Sequence, residues 1–144
     1  MILENIPTIT TTLSIGGHEF NPYELTALVG IEPTKIWTQQ REWIKLTHPS
    51  IDTIGWVYEL GKQRKWSLGE AIDEILDVVW SKKEQIRQFL SEKELKMYIR
   101  CRPFGDASVM EYIIQPEVMR KVVFFGASLS LAVYKDELDT KPMI

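Results

Sequence analysis

Residues Phe20 to Trp37 read FNPYELTALVGIEPTKIW, and this stretch predicts a short helix followed by a turn and a strand. Asn21 is placed to cap the start of the helix, with Pro22 at the first helical position and Glu24 three residues after the cap. Gly30 is expected to end the helix, because glycine readily adopts the left-handed conformation found after helix ends. The stretch therefore predicts a capped helix that is followed, after a short turn, by a strand.

A second stretch, from Gly126 to Tyr134, reads GASLSLAVY and predicts a helix end followed by a strand. Together with the LVGIEPT turn and a tryptophan-containing strand at Gly55 to Leu60, it resembles the family named domain of unknown function 4279. The resemblance covers roughly Thr8 to Lys135 and implies a compact α+β domain of this size. It names a family and a fold, and it implies no reaction.

The segments between these two stretches carry their own patterns. Thr8 to Ile15 alternates apolar and hydroxyl side chains with the period of a half-buried strand, which Gly16-Gly17 is expected to end. Capping boxes that begin at Ser67 and Ser81 predict that the segment from Leu68 to about Leu90 forms two helices with a break near Ser81. A strand over Lys35 to Thr38 and a second over Trp56 to Leu60 complete the first half.

The second half of the chain continues the alternation of strands and helices. Leu95 to Arg102 is the clearest one-sided strand, and a weaker strand is predicted from Met110 to Ile114. Pro116 opens the last helix, and the last strand is expected to point three apolar side chains inward, namely Leu129, Leu131 and Val133. The predicted order is β-α-β-β-α-β-β-α-β. It indicates an α+β, ferredoxin-like sandwich whose antiparallel sheet is covered by helices on one face.

Length and composition point to one ordinary globular domain over residues 1–144. The chain is 44% hydrophobic and 26% charged, with a net charge of -3, which disfavours nucleic acid as a partner. The single cysteine, Cys101, excludes an intrachain disulfide and favours a cytoplasmic location. Met1 to Ile15 lacks the features of a signal peptide, and no apolar window reaches the ~20 residues of a membrane helix. Residues 136–144 are expected to form a flexible tail.

Motifs for catalysis, metal binding or cofactor binding are not evident in the sequence. Gly16-Gly17 is followed by His18 and Glu19, not by the residues that a phosphate-binding loop requires. The two histidines, His18 and His48, both lie in predicted loops, where solvated side chains are the usual outcome. Cys101 falls in the apolar phase of its strand, which is typical of a buried thiol. We therefore predict no catalytic residue, no metal and no cofactor.

Four carboxylates share one side of the helix that follows Ser67, and we name them the acidic stripe: Glu70, Asp73, Glu74 and Asp77. A solvated polar face near a helix N-terminus accounts for such a stripe without any function. The alternative is a surface that docks a basic protein partner.

The polar residues of three predicted strands should all point to the side of the sheet that the helices leave open: Thr10, Thr12, Ser14, Lys96, Tyr98, Arg100, Arg102, Ser130 and Tyr134. Hydroxyl, guanidinium and phenol groups on one face can bind an anion, stack on bases or contact a protein. Tyr98, Arg100, Arg102 and Tyr134 are the predicted ligand-binding residues. A solvated face and a homodimer interface are the alternatives.

Four of the five tryptophans bracket the segment from Ile36 to Trp66: Trp37, Trp43, Trp56 and Trp66. The same segment contains four basic residues that can combine with them into an aromatic and basic pocket: Arg41, Lys45, Arg64 and Lys65. Core packing is the more common use of such large side chains. Both interpretations remain open from the sequence.

Three classes of function are compatible with these patterns. The first is a non-enzymatic binding or interaction module, such as a bacterial accessory or immunity-type protein that pairs with another protein or with itself. The second is a binder of a small anionic ligand, or less readily of nucleic acid, on the open side of the sheet. The third is an enzyme using Tyr98, Arg100 and His48, and it ranks last because spacing alone does not bring a base and a nucleophile together.

Overall fold

The computed structural model describes residues 6–38, 52–104 and 111–132, and these form five strands and four helices. Their order is β-α-β-β-α-α-β-α-β. The elements are β1 (Thr8–Gly17), α1 (Pro22–Val29), β2 (Lys35–Thr38), β3 (Ile54–Arg64), α2 (Leu68–Trp80), α3 (Lys83–Glu92), β4 (Lys96–Phe104), α4 (Pro116–Phe125) and β5 (Ser128–Leu131).

The strands form one sheet in the order β2-β3-β1-β4-β5. Neighbouring strands are antiparallel except at β4 and β5, which are parallel. The α+β class is therefore confirmed. The predicted ferredoxin-like, uniformly antiparallel sheet and the predicted element order β-α-β-β-α-β-β-α-β are not, because the sheet is mixed and its strand order differs. The predicted strand from Met110 to Ile114 contributes to this difference. Within its described residues, 111–114, the structure has only an isolated bridge between Glu111 and Ser67.

The helix boundaries follow the predicted caps in all but one case. The Asn21 side chain accepts a hydrogen bond from the Tyr23 amide at 2.9 Å, and Gly30 ends α1 with φ at 80°. The two-helix prediction for the segment after Ser67 is also confirmed. The predicted start at Ser81 is wrong, because α3 begins at Lys83 after an N-cap residue, Lys82, that makes no side-chain capping bond.

The hydrophobic core lies between the helices and one face of the sheet. Its strand residues come from alternate positions of β1 and β4: Ile9, Leu13, Ile15, Met97, Ile99 and Cys101. Trp56 of β3 is fully buried in this layer, and its Nε1 donates a hydrogen bond to Thr26 Oγ1 of α1 at 3.0 Å. The prediction that Cys101 is a buried thiol is confirmed.

The ends of β1 and β5 bear on two predictions. β1 ends at Gly17, as predicted, although Gly16 still pairs with Gly55 and Gly17 still pairs with Ile54 inside the ladder. Leu129 and Leu131 are the register partners of the buried Ile99 and Cys101, so they point to the covered face as predicted, yet they are 39% and 43% exposed. Among the described strands, theirs, β5, is at the edge of the sheet and pairs with β4 alone. Val133, the third residue of that prediction, lies outside the described residues.

Candidate functional site on the open face of the sheet

The polar positions of β1 and β4 lie opposite one another on the sheet face that points away from the core. Thr12 is the register partner of Arg100, and Thr10 is the partner of Arg102. Both arginines are exposed, whereas the intervening Cys101 is buried. The predicted phase of β4 is therefore confirmed, since successive residues of a strand point to opposite faces.

A groove of about 380 Å³ crosses this face from β2 to β4, and we name it the open-face groove. Hydroxyl side chains of β1 form its middle. Lys35 and Trp37 of β2 line one end, Glu59 of β3 lies beside them, and Arg100 and Arg102 of β4 line the other end. The groove thus joins cationic, hydroxyl and aromatic groups from four adjacent strands.

A pair of glycines creates the space at one end of the open face. Gly16 and Gly55 are register partners on β1 and β3. A Cβ atom on Gly55 would overlap the indole of Trp37, and one on Gly16 would overlap the carboxylate of Asp52. Because both positions lack a side chain, Trp37 and Asp52 settle directly onto the sheet.

Tyr98 lies at this glycine-rich end of the face and does not line the groove. Its Oη donates a hydrogen bond to Asp52 Oδ2 at 3.0 Å. Burial, together with the hydrogen bond and negative charge of Asp52, raises the pKa of Tyr98 from 10.0 to about 12. The side chain is therefore a protonated phenol at neutral pH and fixes the position of Asp52.

The arginine end of the face carries further positive charge above an aromatic ring. Arg102 Cζ lies 4.9 Å from the centre of the Phe104 ring, and Lys62 Nζ lies 4.6 Å from it. Cation–π contacts of this kind hold basic side chains against the sheet. Arg100, Arg102 and Lys62 thus make the β4 side of the face the more positive, whereas the β2 side combines Lys35 with the carboxylate of Glu59 on β3.

The four predicted ligand-binding residues have different placements. Arg100 and Arg102 line the groove, Tyr98 lies beside it, and Tyr134 lies outside the described residues. Sequence reasoning did not assign Lys35 and Glu59 to this face. Side chains alternate between the two faces along Lys35–Thr38 of β2 and along residues 57–59 of β3, and this alternation is visible in the sequence. Which of the two alternate sets faces the groove depends on how β3 pairs with β1 and β2 pairs with β3.

The family model described as Domain of unknown function (DUF4279) matches residues 7–136. The chain belongs to this family. The DUF4279 match spans all five strands and therefore the whole open-face groove. No curated protein and no solved structure matches the chain significantly.

The acidic stripe of this DUF4279 chain lies on α2, and each of its carboxylates has a partner within the molecule. Lys121 Nζ of α4 donates to Asp73 Oδ1 at 2.8 Å and reaches Asp77 Oδ1 at 3.5 Å. The bond to Asp73 is the main cause of a raised Lys121 pKa. Glu74 forms an ion pair with Lys65, and Glu70 Oε2 accepts a bond from the Trp66 amide at 3.3 Å. A basic partner would have to compete with these contacts.

A second depression, of about 410 Å³, lies beside the stripe, between the start of α2 and the segment that leads into α4. We name it the α2 depression. Trp66 and Ile113 line it and are 38% and 49% exposed, and Glu70 and Asp73 lie on the same wall. It combines apolar and acidic groups, in contrast to the basic open-face groove.

The remaining titratable groups do not form a metal site in the part of the chain that the structure describes. Within it, no three His, Cys, Asp or Glu side chains are grouped to hold a metal ion. Burial raises the pKa of the Cys101 thiol to about 12. His18 Nδ1 is 3.2 Å from Thr53 Oγ1, and His48 lies outside the described residues. None of the helices formed by the described residues is long and apolar enough to cross a membrane.

Proposed function

We propose that the protein is a non-enzymatic binding module that holds an anionic ligand in the open-face groove. The observation that carries this proposal is the convergence of Arg100, Arg102 and Lys35 with the β1 hydroxyls around one concave surface. Guanidinium groups form bidentate, charge-assisted hydrogen bonds with phosphate and carboxylate, and hydroxyls complete the shell of donors.

The chemistry of the groove favours binding over catalysis. Among the described residues that line it, none is a histidine or a cysteine. The nearby Tyr98 is held as a neutral phenol, so it cannot serve as a base near pH 7. The groups present are those that orient and neutralise a bound anion.

Isothermal titration calorimetry at low salt tests this function with phosphate, pyrophosphate, a dicarboxylate and nucleoside diphosphates. The double variant Arg100→Ala with Arg102→Ala should weaken binding at least about tenfold, because each charge-assisted bond contributes roughly 1.5–3 kcal/mol. A matched double variant, Lys93→Ala with Arg120→Ala, removes two exposed cations, one just after α3 and one on α4, and should leave affinity unchanged. Added salt should weaken wild-type binding.

Two results would contradict the proposal. One is that no anion of this panel binds, or binds equally well to the arginine variant and its control. The other is that the arginine variant dissociates a homodimer, measured by sedimentation, because the same face would then be an assembly surface.

A protein partner is the second candidate, as expected for an immunity-type accessory protein, and the α2 depression supports it. Exposed Trp66 and Ile113 next to carboxylates suit an apolar and basic segment of a partner. This function does not use the open-face groove. Charge reversal in the acidic stripe therefore separates it from anion binding, as described below.

A further inference from the structure

The two ends of the open-face groove differ in chemistry, and the difference restricts the ligand. Trp37 and Lys35 of β2 line one end, Arg100 and Arg102 of β4 line the other end, and Glu59 of β3 lies between them. A simple anion meets two guanidinium groups at the β4 end and one ammonium group at the β2 end. The indole at the β2 end requires a ligand group that tolerates an aromatic surface.

The indole of Trp37 is positioned so that a planar ring of a ligand can stack on it. Its indole lies against Gly55, where no side chain intervenes, and it is only partly buried while lining the groove. An indole supported from below by the sheet offers a rigid platform for a planar ring. Stacking of a base on an aromatic side chain stabilises binding of any of the common bases, since each has a π-face.

Glu59 adds a polarity requirement between the two ends, since its register partner on β1, Thr12, is also the partner of Arg100. Its carboxylate repels a second anion and accepts hydrogen bonds from hydroxyl or amine donors. The ligand group near β3 must therefore be uncharged or a hydrogen-bond donor. The negative group must lie across β1, near Arg100 and Arg102.

The distance between the two ends is that of a bipartite small molecule. Trp37 and Arg100 are on strands separated by three inter-strand spacings and are offset by four residues along the strands, so their backbones are about 20 Å apart. Their side chains extend over the groove and shorten this span. A volume of about 380 Å³ falls in the range of small-molecule sites.

We propose that the anionic ligand is a free nucleoside phosphate, with its base on Trp37, donor groups toward Glu59 and its phosphates on Arg100 and Arg102. This inference rests on the proposed anion-binding function and specifies its ligand class. The net charge of -3 favours a small nucleotide over a nucleic-acid polymer, whose binding depends on neutralising many phosphates.

Calorimetric titration of the full chain with ADP, inorganic pyrophosphate and adenosine tests the inference. ADP should bind about tenfold more tightly than pyrophosphate, because only ADP adds base stacking to the diphosphate contacts. Trp37→Ala should remove this tenfold difference and leave pyrophosphate affinity unchanged, whereas Trp37→Phe should retain most of it. Trp66→Ala, which removes an exposed tryptophan outside the groove, should change neither affinity.

The outcomes separate the ligand class from the anion-binding function. Pyrophosphate binding as tight as that of ADP, or equal losses for both ligands in Trp37→Ala, would overturn the nucleotide inference and leave anion binding standing. A single-stranded oligonucleotide that binds more tightly than ADP would also overturn it, in favour of a nucleic-acid site. If ADP and every simple anion fail to bind, both proposals fall.

Discussion

The two faces of the sheet are built from the same strands by different means. On the covered face, Ile15 and Trp56 are fully buried and fill the space under the helices. On the open face, their neighbours Gly16 and Gly55 have no side chains, and the space they leave is occupied by Trp37 and Asp52. On the covered face, the side chains of β1 and β3 themselves fill the space. On the open face, the space above the two glycines is filled by side chains from β2 and from the residue pair before β3. The predictions below test that contrast.

The largest difference should appear between two tryptophans on opposite faces. Trp56→Ala should destabilise the fold by about 3–5 kcal/mol, since it leaves a cavity and removes the bond to Thr26. Trp37→Ala should cost about 1 kcal/mol, because its ring is only partly buried. Urea unfolding followed by circular dichroism measures both. Equal losses would show that the open face is packed like a core.

The next effect concerns two glycines of the same strand, β3. Gly55→Ala should destabilise the protein by about 1–3 kcal/mol, because the added methyl group overlaps the Trp37 indole and displaces it. Gly61→Ala is the matched control, since a Cβ at Gly61 has open space around it. It should be neutral or slightly stabilising. If both variants unfold at the same urea concentration, Trp37 does not rest on Gly55.

A smaller effect should appear in alkaline solution. The folded state raises the Tyr98 pKa from 10.0 to about 12, so the folded protein binds this proton more tightly than the unfolded chain does. The resulting stabilisation is complete below pH 10 and is lost as the pH rises to about 12. Tyr98→Phe should flatten the decline in that window. An ultraviolet titration in which Asp52→Ala leaves the Tyr98 pKa unchanged would contradict the role assigned to Asp52.

The smallest effect on stability should come from the acidic stripe. Asp77→Lys should cost no more than about 0.5 kcal/mol, since Asp77 is 64% exposed and 3.5 Å from Lys121. Asp73→Lys should cost more, because its bond to Lys121 is shorter, but less than about 1 kcal/mol. With an identified basic partner, the double reversal should slow association at low salt, whereas Glu92→Lys on α3 should not. Unchanged association would exclude the stripe as a docking surface.

Local signals in the sequence predicted individual elements well, and the arrangement of those elements less well. Asn21, Gly30 and Pro116 act through hydrogen bonds and backbone angles within a few residues, so they place helix ends without tertiary information. The alternation around Arg100 is equally local. Such local signals did not predict the exposure of Leu129, because that exposure depends on β5 being an edge strand.

The candidate site shows the same limit of local signals more strongly. The two arginines were predicted to share a face, but Trp37 joins them only because β2 pairs with β3 and β3 pairs with β1. Likewise, Gly16-Gly17 has the composition of a turn, and its position in the strand follows from the close approach of Asp52 and from pairing with Gly55. Such contacts join residues far apart in sequence and leave no local periodic signal.

The central position of β1 has a consequence for how the chain folds during synthesis. β1 comes first among the described elements, yet it pairs with β3 on one side and with β4 on the other. The edges of β1 therefore stay unpaired on the ribosome until Ile54–Arg64 and then Lys96–Phe104 have emerged. Because such long-range pairings form slowly, the alternating Ile, Leu and Thr residues of this strand are the segment most exposed to aggregation in the nascent chain.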